Sequence, residues 1–558
     1  MKYLKKASIV FVLIAVCFFG VLRSQQLDVY RDIARSQQQI MTVYKYLLTE
    51  YVHELDVEKL TSRIIKSMLE NFDPYTEYYE AKDLEDLAIK TDGEFSGVGL
   101  QIYMYEDQLT VVSPIEGSPA SRAGIFTGDE IMNIDGETTK GLELKEATNK
   151  IRGDRGTDVV LTVKKPITGE TEDYVITRDT ITIKDIPYYG MVNPEVGYLR
   201  ITNFSNNTPG ETREALTSLM DKGADNIIID LRDNPGGLLS SSLDILDLIL
   251  PRDLEMVSTK GRKGRSLKSY KSLNDSFLPS SVDLAVLISG GSASASEIVA
   301  GVLQDHDRAV VLGTQSFGKG LVQTVIGINQ DTALKITNSK YYIPSGRSIQ
   351  KRKFIDEELM ANTDSAADSL YQTKAGRTVL GGGGISPDMV VKDEEKSYPL
   401  AASIARNGGY FRFVQQSSDQ YTSIDEVIAD DNLMKNFETF IKDSDIEGYV
   451  DGQEELDQAK EKLSKENKEN IFLKNAFSVI ERQIDKNQSE MFEKEDDLIR
   501  RMILGEFAFY YDGNNGKYEL YLSEDTVVIK AIEILMDDSI YSSLLTVPEP
   551  NQVAVLKK

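Results

Sequence analysis

The chain has 558 residues, enough for several domains that each bury a core. Its net charge of −26, from 89 acidic against 63 basic side chains, argues against nucleic acid, whose phosphates need clustered positive surface. A single cysteine, Cys17, and only His53 and His306 exclude a disulfide, a thiol nucleophile in the bulk of the chain and zinc centres built from these residue types. Lys2, Lys5 and Lys6 precede an apolar stretch from Ala7 to Leu22. That order predicts a signal peptide or a membrane anchor over 1–25, and an exported chain that is periplasmic or held in the inner membrane facing the periplasm. Over 26–90, apolar residues such as Ile40, Val43, Leu47, Leu60 and Ile64 recur at three- and four-residue spacing, which predicts a helical lobe. Asn71-Phe72-Asp73-Pro74-Tyr75-Thr76 interrupts it.

Residues 91–167 change to short strands and turns. Gly128 to Gly136 reads as a strand closed by an Asp-Gly turn, Leu144–Ile151 as a helix and Asp158–Lys164 as a strand. This segment resembles a PDZ domain of the exported bacterial kind. Gly97 and Gly99 let backbone N–H groups converge on a terminal carboxylate, while the adjoining strand edge pairs with an extended tail. Ser96, Gly97, Val98, Gly99 and Leu100 are therefore the expected substrate-binding loop. Arg152, closing the helix, is read either as a surface arginine or as a link between tail occupancy and the active site.

Over 168–395, strands alternate with helices: Val196 to Ile201, Glu211 to Met220, Asn226 to Leu231, a helix ending at Leu250, and Ala285 to Ser289. Continuous apolar strands between amphipathic helices predict an α/β core with a largely parallel sheet. Asn234-Pro235-Gly236-Gly237 follows one such strand and Ser294 the next, at the carboxyl edge where these sheets place their sites. Residues 396–558 read as an acidic, mainly helical extension with a strand-like Phe507-Ala508-Phe509-Tyr510-Tyr511 and a helix near Val527 to Met536. The fold class is thus a multidomain α/β protein: helical lobe, PDZ domain, α/β core and helical extension of open role.

One arrangement implies chemistry. Gly291-Ser292-Ala293-Ser294-Ala295-Ser296-Glu297 opens an apolar helix, and Phe317-Gly318-Lys319-Gly320 follows one strand later. A serine at a helix N-terminus meets free N–H groups and the positive end of the dipole. A lysine base can replace a histidine-based triad, which predicts a serine–lysine hydrolase. Three serines, 292, 294 and 296, compete for the nucleophile, and His306, the only nearby histidine, reads as a solvated turn residue. At an ordinary pKa near 10.4 only about one lysine in 2,500 is neutral at pH 7, so burial must lower Lys319 by about 3 units. Phe317, Leu321 and Val322 are the expected source of that desolvation.

Asp73-Pro74-Tyr75-Thr76, the PDZ segment, Asp230 to Gly237, Gly291 to Glu297, Phe317 to Gly320, Tyr341 to Ile349 and Gly383 to Asp388, in this order, resemble the C-terminal processing peptidases, the tail-specific serine proteases. The resemblance covers 30–395. It implies an exported serine endopeptidase that takes unstructured C-terminal tails of protein substrates and needs no cofactor, metal or nucleotide. The family's spacing from lysine to serine selects Ser294 as nucleophile, with Lys319 as base and Gln323 orienting it. Ala295 and the Gly236/Gly237 loop are then the implied oxyanion hole. A homo-oligomer and anchoring through the N-terminal segment are further expectations. A non-catalytic PDZ scaffold and another acyl-transfer enzyme are the competing readings.

Overall fold

In the strands at the centre of the molecule, successive side chains enter two different cores, because strand side chains alternate between faces. Leu199, Ile227, Ile229, Val286 and Val311 point to one side, and Val196, Tyr198, Ile228, Leu287 and Val310 to the other. The computed structural model describes residues 30–105, 108–165, 168–262, 266–351, 369–392, 398–444, 453–466 and 471–547. The expected signal or anchor over 1–25 lies outside the described residues. Among those described, no helix is long and apolar enough to cross a membrane.

The central sheet runs in the order Tyr188–Asn193, Val196–Arg200, Asn226–Asp230, Asp283–Ile288, Val310–Gly313, Met389–Val390. The first pair is antiparallel and the rest are parallel. Helices Thr208–Asp221, Leu239–Ile249 and Ala295–Asp305 cover one face, each joining consecutive strands as parallel pairing requires. The opposite face is covered from far along the chain, by Thr526–Leu535 and Asp538–Leu545. Val527, Val528, Ala531, Ile534 and Leu535 are buried there, and the Tyr541 hydroxyl bonds the backbone of Leu284. The C-terminal extension therefore completes the sandwich of the core.

A second sheet carries the strand after Lys319. Leu321–Gly327 pairs antiparallel with Ala333–Tyr342, which is flanked on its other side by Glu255–Gly261 and by Glu77–Tyr79. The helical N-terminal region thus contributes a strand, immediately after the Asp73–Thr76 turn.

The PDZ sheet reaches further than expected. Thr171–Thr177 pairs with Asp158–Lys164 along its whole length, and Asp179–Thr182 pairs with Glu94–Gly97. The boundary read at 167 falls between two paired strands of this sheet, Asp158–Lys164 and Thr171–Thr177. The Asp-Gly turn is as expected: Asp135 and Gly136 have φ of 51° and 80°, and Ile134 faces Glu137.

The strand-like Phe507 to Tyr511 is helical, inside Asp496–Leu522. Aromatic residues fit strands and helices alike, but Ile499, Ile503 and Phe507 recur at four-residue spacing and are fully buried in the helical core of the extension. That bundle touches both other parts: Phe411 stacks on Tyr105 of the PDZ domain at 5.8 Å, and Tyr518 on Tyr188 of the core at 5.0 Å.

Candidate active site

Ser294 stands between strand Asp283–Ile288 and helix Ala295–Asp305, with φ of 54° and ψ of −110°. A left-handed φ at a serine costs on the order of 1–3 kcal/mol, so the surrounding contacts must impose it. They do so through two neighbours. Ser292 and Ser296 are fully buried, their hydroxyls donating to the Leu231 and Asn234 carbonyls at 2.8 Å each. Ser294 alone of the three is partly exposed.

Buried Glu297, three residues on, gathers both halves of the site. Its carboxylate accepts the Ser294 and Lys319 amides at 2.8 and 2.9 Å, the Gly318 amide at 2.7 Å and the Ser316 hydroxyl at 2.5 Å. Burial pushes its pKa up against these four bonds. The serine turn and the lysine turn therefore share one side chain. The Tyr341 hydroxyl adds a second tie, donating to the Ser294 carbonyl at 3.2 Å and the Lys319 carbonyl at 2.5 Å. Neither residue was singled out from sequence. The Ser294-x-x-Glu297 spacing of a capping box was the available signal for Glu297.

The glycine loop lies against the serine. A Cβ on Gly236, at φ of 100°, would sit 2.6 Å from the Ala293 carbonyl and 2.9 Å from the Ser294 Cβ, so only glycine fits. The Gly236/Gly237 loop, expected as one half of an oxyanion hole, has the Gly236 amide already bonded. Asn234 is fully buried and must satisfy its amide, so its Oδ1 takes the Gly236 N–H at 2.8 Å while its Nδ2 donates to the Ile201 carbonyl. Phe204 bridges Gly237, taking the Leu238 amide and donating to the Gly236 carbonyl, which turns the Gly237 N–H the opposite way. Ala295, first in its helix, has no carbonyl four residues back to bond.

Lys319 is half-buried, and burial, reinforced by the charge of Lys335, lowers its pKa. The ring over its amine is not one of the expected neighbours. Phe317 is 38% exposed, whereas Tyr75 places its ring centroid 4.4 Å from Lys319 Nζ. Gln323 follows a bulge after Val322, and its Nε2 donates to Thr337 Oγ1 at 3.2 Å. Thr337 Oγ1 in turn donates to Asp73 at 3.0 Å. His306 caps the far end of the Ser294 helix, about 18 Å away at the usual helical rise. It is half-buried rather than fully solvated, with Nε2 2.7 Å from the Glu255 carbonyl. His53 is exposed beside Tyr51. Among the described residues no cluster could hold a metal.

In the PDZ domain, among the described residues, Leu100–Tyr105 pairs only with Gln108–Pro114, which leaves its other edge open beside helix Leu144–Ile151. Ser96 and Gly97 belong to the short strand paired with Asp179–Thr182. The Val98 and Gly99 carbonyls accept the Ala120 and Ile115 amides, which turns one side of this loop inward. Gly99, at φ of 77°, lies so close to Ser118 that a Cβ would overlap it at 2.3 Å. Arg152 reaches the same loop: its guanidinium lies 5.0 Å from the Phe95 ring centroid and 3.7 Å from Asp86.

Comparison with known proteins matches this architecture part by part. Family models described as "PDZ domain", "Peptidase family S41" and "Probable PDZ-protease, C-terminal helical domain" match residues 110–165, 195–358 and 400–535. The extension, whose role was open from sequence, is thus a known companion of such proteases. The chain is 39% identical over 336 residues to a carboxy-terminal-processing protease of Bartonella bacilliformis, covering 59% of this chain and 75% of that one. It is 35% identical over 375 residues to a carboxyl-terminal-processing protease of Picosynechococcus sp., covering 62% and 87%. The solved photosystem II D1 C-terminal processing protease is 26% identical and covers 63% of this chain and 87% of its own, with a TM-score of 0.35. This chain belongs to the carboxy-terminal-processing protease family, serine-type peptidases of family S41 that carry a PDZ domain.

Proposed function

We propose that this peptidase is an exported endopeptidase that captures protein substrates by their C-terminal tails in its PDZ groove and cleaves them with Ser294 as nucleophile and Lys319 as base. The observation that carries the assignment is the shared Glu297 carboxylate, which binds the backbone amides of both residues. The half-burial of Ser294, against two neighbouring serines whose hydroxyls are already committed, supports it as the attacking group.

The neutral Lys319 amine takes the Ser294 hydroxyl proton as Oγ attacks the scissile carbonyl. Charge on the tetrahedral oxygen is met by the Ala295 and Gly237 amides, with Gly236 as the spacer that lets the loop approach. The ammonium then protonates the leaving amine, which departs with the C-terminal fragment. Water attacks the acyl-enzyme, giving a proton to Lys319, which passes it to Ser294 Oγ as the ester bond breaks. Gln323, tied to Thr337, orients the lysine from the next strand. A tail carboxylate on the Val98, Gly99 and Leu100 amides, its chain added to the open edge of Leu100–Tyr105, supplies recognition. Arg152, beside that loop and Asp86, is assigned to sense occupancy.

The N-terminal segment directs export, to the periplasm or to an inner-membrane anchorage. The test uses one unfolded exported protein with a free or an amidated C-terminus. Wild-type enzyme cleaves the free form faster, and Ser294→Ala cleaves neither. Cleavage by Ser294→Ala overturns the nucleophile, and equal rates on both substrates overturn tail recognition.

A further inference from the structure

The lysine side of the site is walled by residues from the other end of the chain, a role that neither the family match nor the reading of Ser294 and Lys319 assigns. Three contacts bring the segment there. Strand Glu77–Tyr79 pairs with Ala333–Tyr342. Asp73 accepts from Thr337 Oγ1, and Thr76 Oγ1 accepts the Thr337 amide at 3.2 Å. Between these anchors, Tyr75 lays its ring over Lys319 Nζ. The turn holding it is internally braced, since Asp73 accepts the Tyr75 amide at 3.0 Å and the Thr76 hydroxyl at 2.9 Å.

We propose that Tyr75 is a positioning residue for Lys319, and that docking of the Asp73–Tyr79 segment completes the catalytic centre by shutting water away from the base. This rests on Lys319 being the base.

A ring over an ammonium has two opposing effects. Its quadrupole favours the charged amine by little more than about one pKa unit. Exclusion of water disfavours the charge by up to about 3–5 units at full burial. By these magnitudes desolvation is the larger effect, and burial holds the amine below its usual value. The charged groups facing it agree with this balance. Lys335 repels the ammonium, while Glu77, Glu297 and Asp73 attract it. Glu77 also pairs with Lys335, which tempers that repulsion, and Tyr79 bonds the same amine. Tyr75 and Tyr341 add no charge near neutral pH, because burial pushes both phenols up.

The test is the pH profile of kcat/KM on an unfolded protein substrate for wild type, Tyr75→Phe, Tyr75→Ala and Tyr75→Gln, with Lys319→Ala as control. Tyr75→Ala admits water and raises the pKa of the base. Its acid limb should move up by about one pH unit, the rate at pH 7 should fall about tenfold, and activity should recover at alkaline pH. Tyr75→Gln, which keeps side-chain length but invites water, should shift the same way and serves if Tyr75→Ala does not fold. Tyr75→Phe keeps the ring and should restore the rate to within about threefold of wild type. An unmoved acid limb in both Ala and Gln variants, or a loss in Tyr75→Phe equal to that in Tyr75→Ala, overturns the proposal. Retained cleavage by Lys319→Ala would instead overturn the base assignment itself, whatever the Tyr75 series gives.

Discussion

The serine side and the lysine side of this site are built in opposite ways. Around Ser294 the fold is closed and local: Ser292, Asn234, Ser296 and Glu297 are all buried, and all bond backbone groups of the segments that follow strands Asn226–Asp230 and Asp283–Ile288. Around Lys319 the supports are remote and partly open. They come from an edge strand, from Thr337 on its partner, and from a turn some 240 residues earlier in the chain. A nucleophile needs a fixed position, which a packed α/β crest supplies cheaply. A lysine base needs dryness, and the core alone leaves one flank of Lys319 for other segments to cover.

The contrast can be broken hardest at its bridge. Glu297→Ala leaves four donors without an acceptor in a buried place, at about 1–3 kcal/mol each when nothing replaces it. Cleavage should fall at least about 100-fold and the melting temperature should drop, as thermal unfolding and a peptide assay would record. Lys319→Met should abolish turnover yet stabilise the protein. The folded-state pKa of the lysine lies below its unfolded value, so wild-type stability rises with pH from the folded pKa toward 10.5. The methionine variant lacks this term. Its gain in melting temperature should be largest below the folded pKa of Lys319 and shrink as pH climbs, which a melt series across pH would reveal.

The serine side has one remote brace of its own. Asp230 is fully buried; burial pushes its carboxyl up, but Arg232 and Arg200 more than offset this and hold it low. Arg232, at the head of the glycine loop, also pairs with Asp525 at 2.8 Å, and Asp525 caps the helix covering the far face of the sheet. Asp525→Ala removes both the cap and the pair, and should cost about 1–3 kcal/mol in denaturant unfolding with a several-fold loss of kcat. Thr337→Val removes the acceptor of Gln323, and a few-fold fall in kcat at unchanged KM is expected from steady-state kinetics. The smallest effect belongs to Ser296→Ala, which loses one hydroxyl bond worth about 1 kcal/mol and should keep cleavage within several-fold of wild type.

Much of this was legible in the chain because it follows from local pattern. Asn226 to Leu231 and Ala285 to Ser289 read as buried strands because apolar residues run there without alternation, and the structure has strands Asn226–Asp230 and Asp283–Ile288 covered on both faces. Leu144–Ile151, the Asp135-Gly136 turn and the position of Ser294 at a helix start were readable for the same reason. What stayed hidden depends on distant pairing. Nothing near Tyr75 signals a lysine, nothing in Val527 to Leu535 names the sheet it covers, and the choice among three serines needs to know which hydroxyls are already committed. Asn234 illustrates the limit at close range: the glycine loop was evident, but which of its amides remains free was decided by a buried side chain that must be satisfied.

The central claim is that Ser294 is acylated with Lys319 as its base. Peptide mass spectrometry after a short exposure to a fluorophosphonate probe at neutral pH tests it most directly. The account predicts a single adduct on Ser294 in wild type and labelling slowed at least about 100-fold in Lys319→Ala, since the hydroxyl then has no base. An adduct on Ser292 or Ser296, or equal labelling rates with and without the lysine, would contradict it.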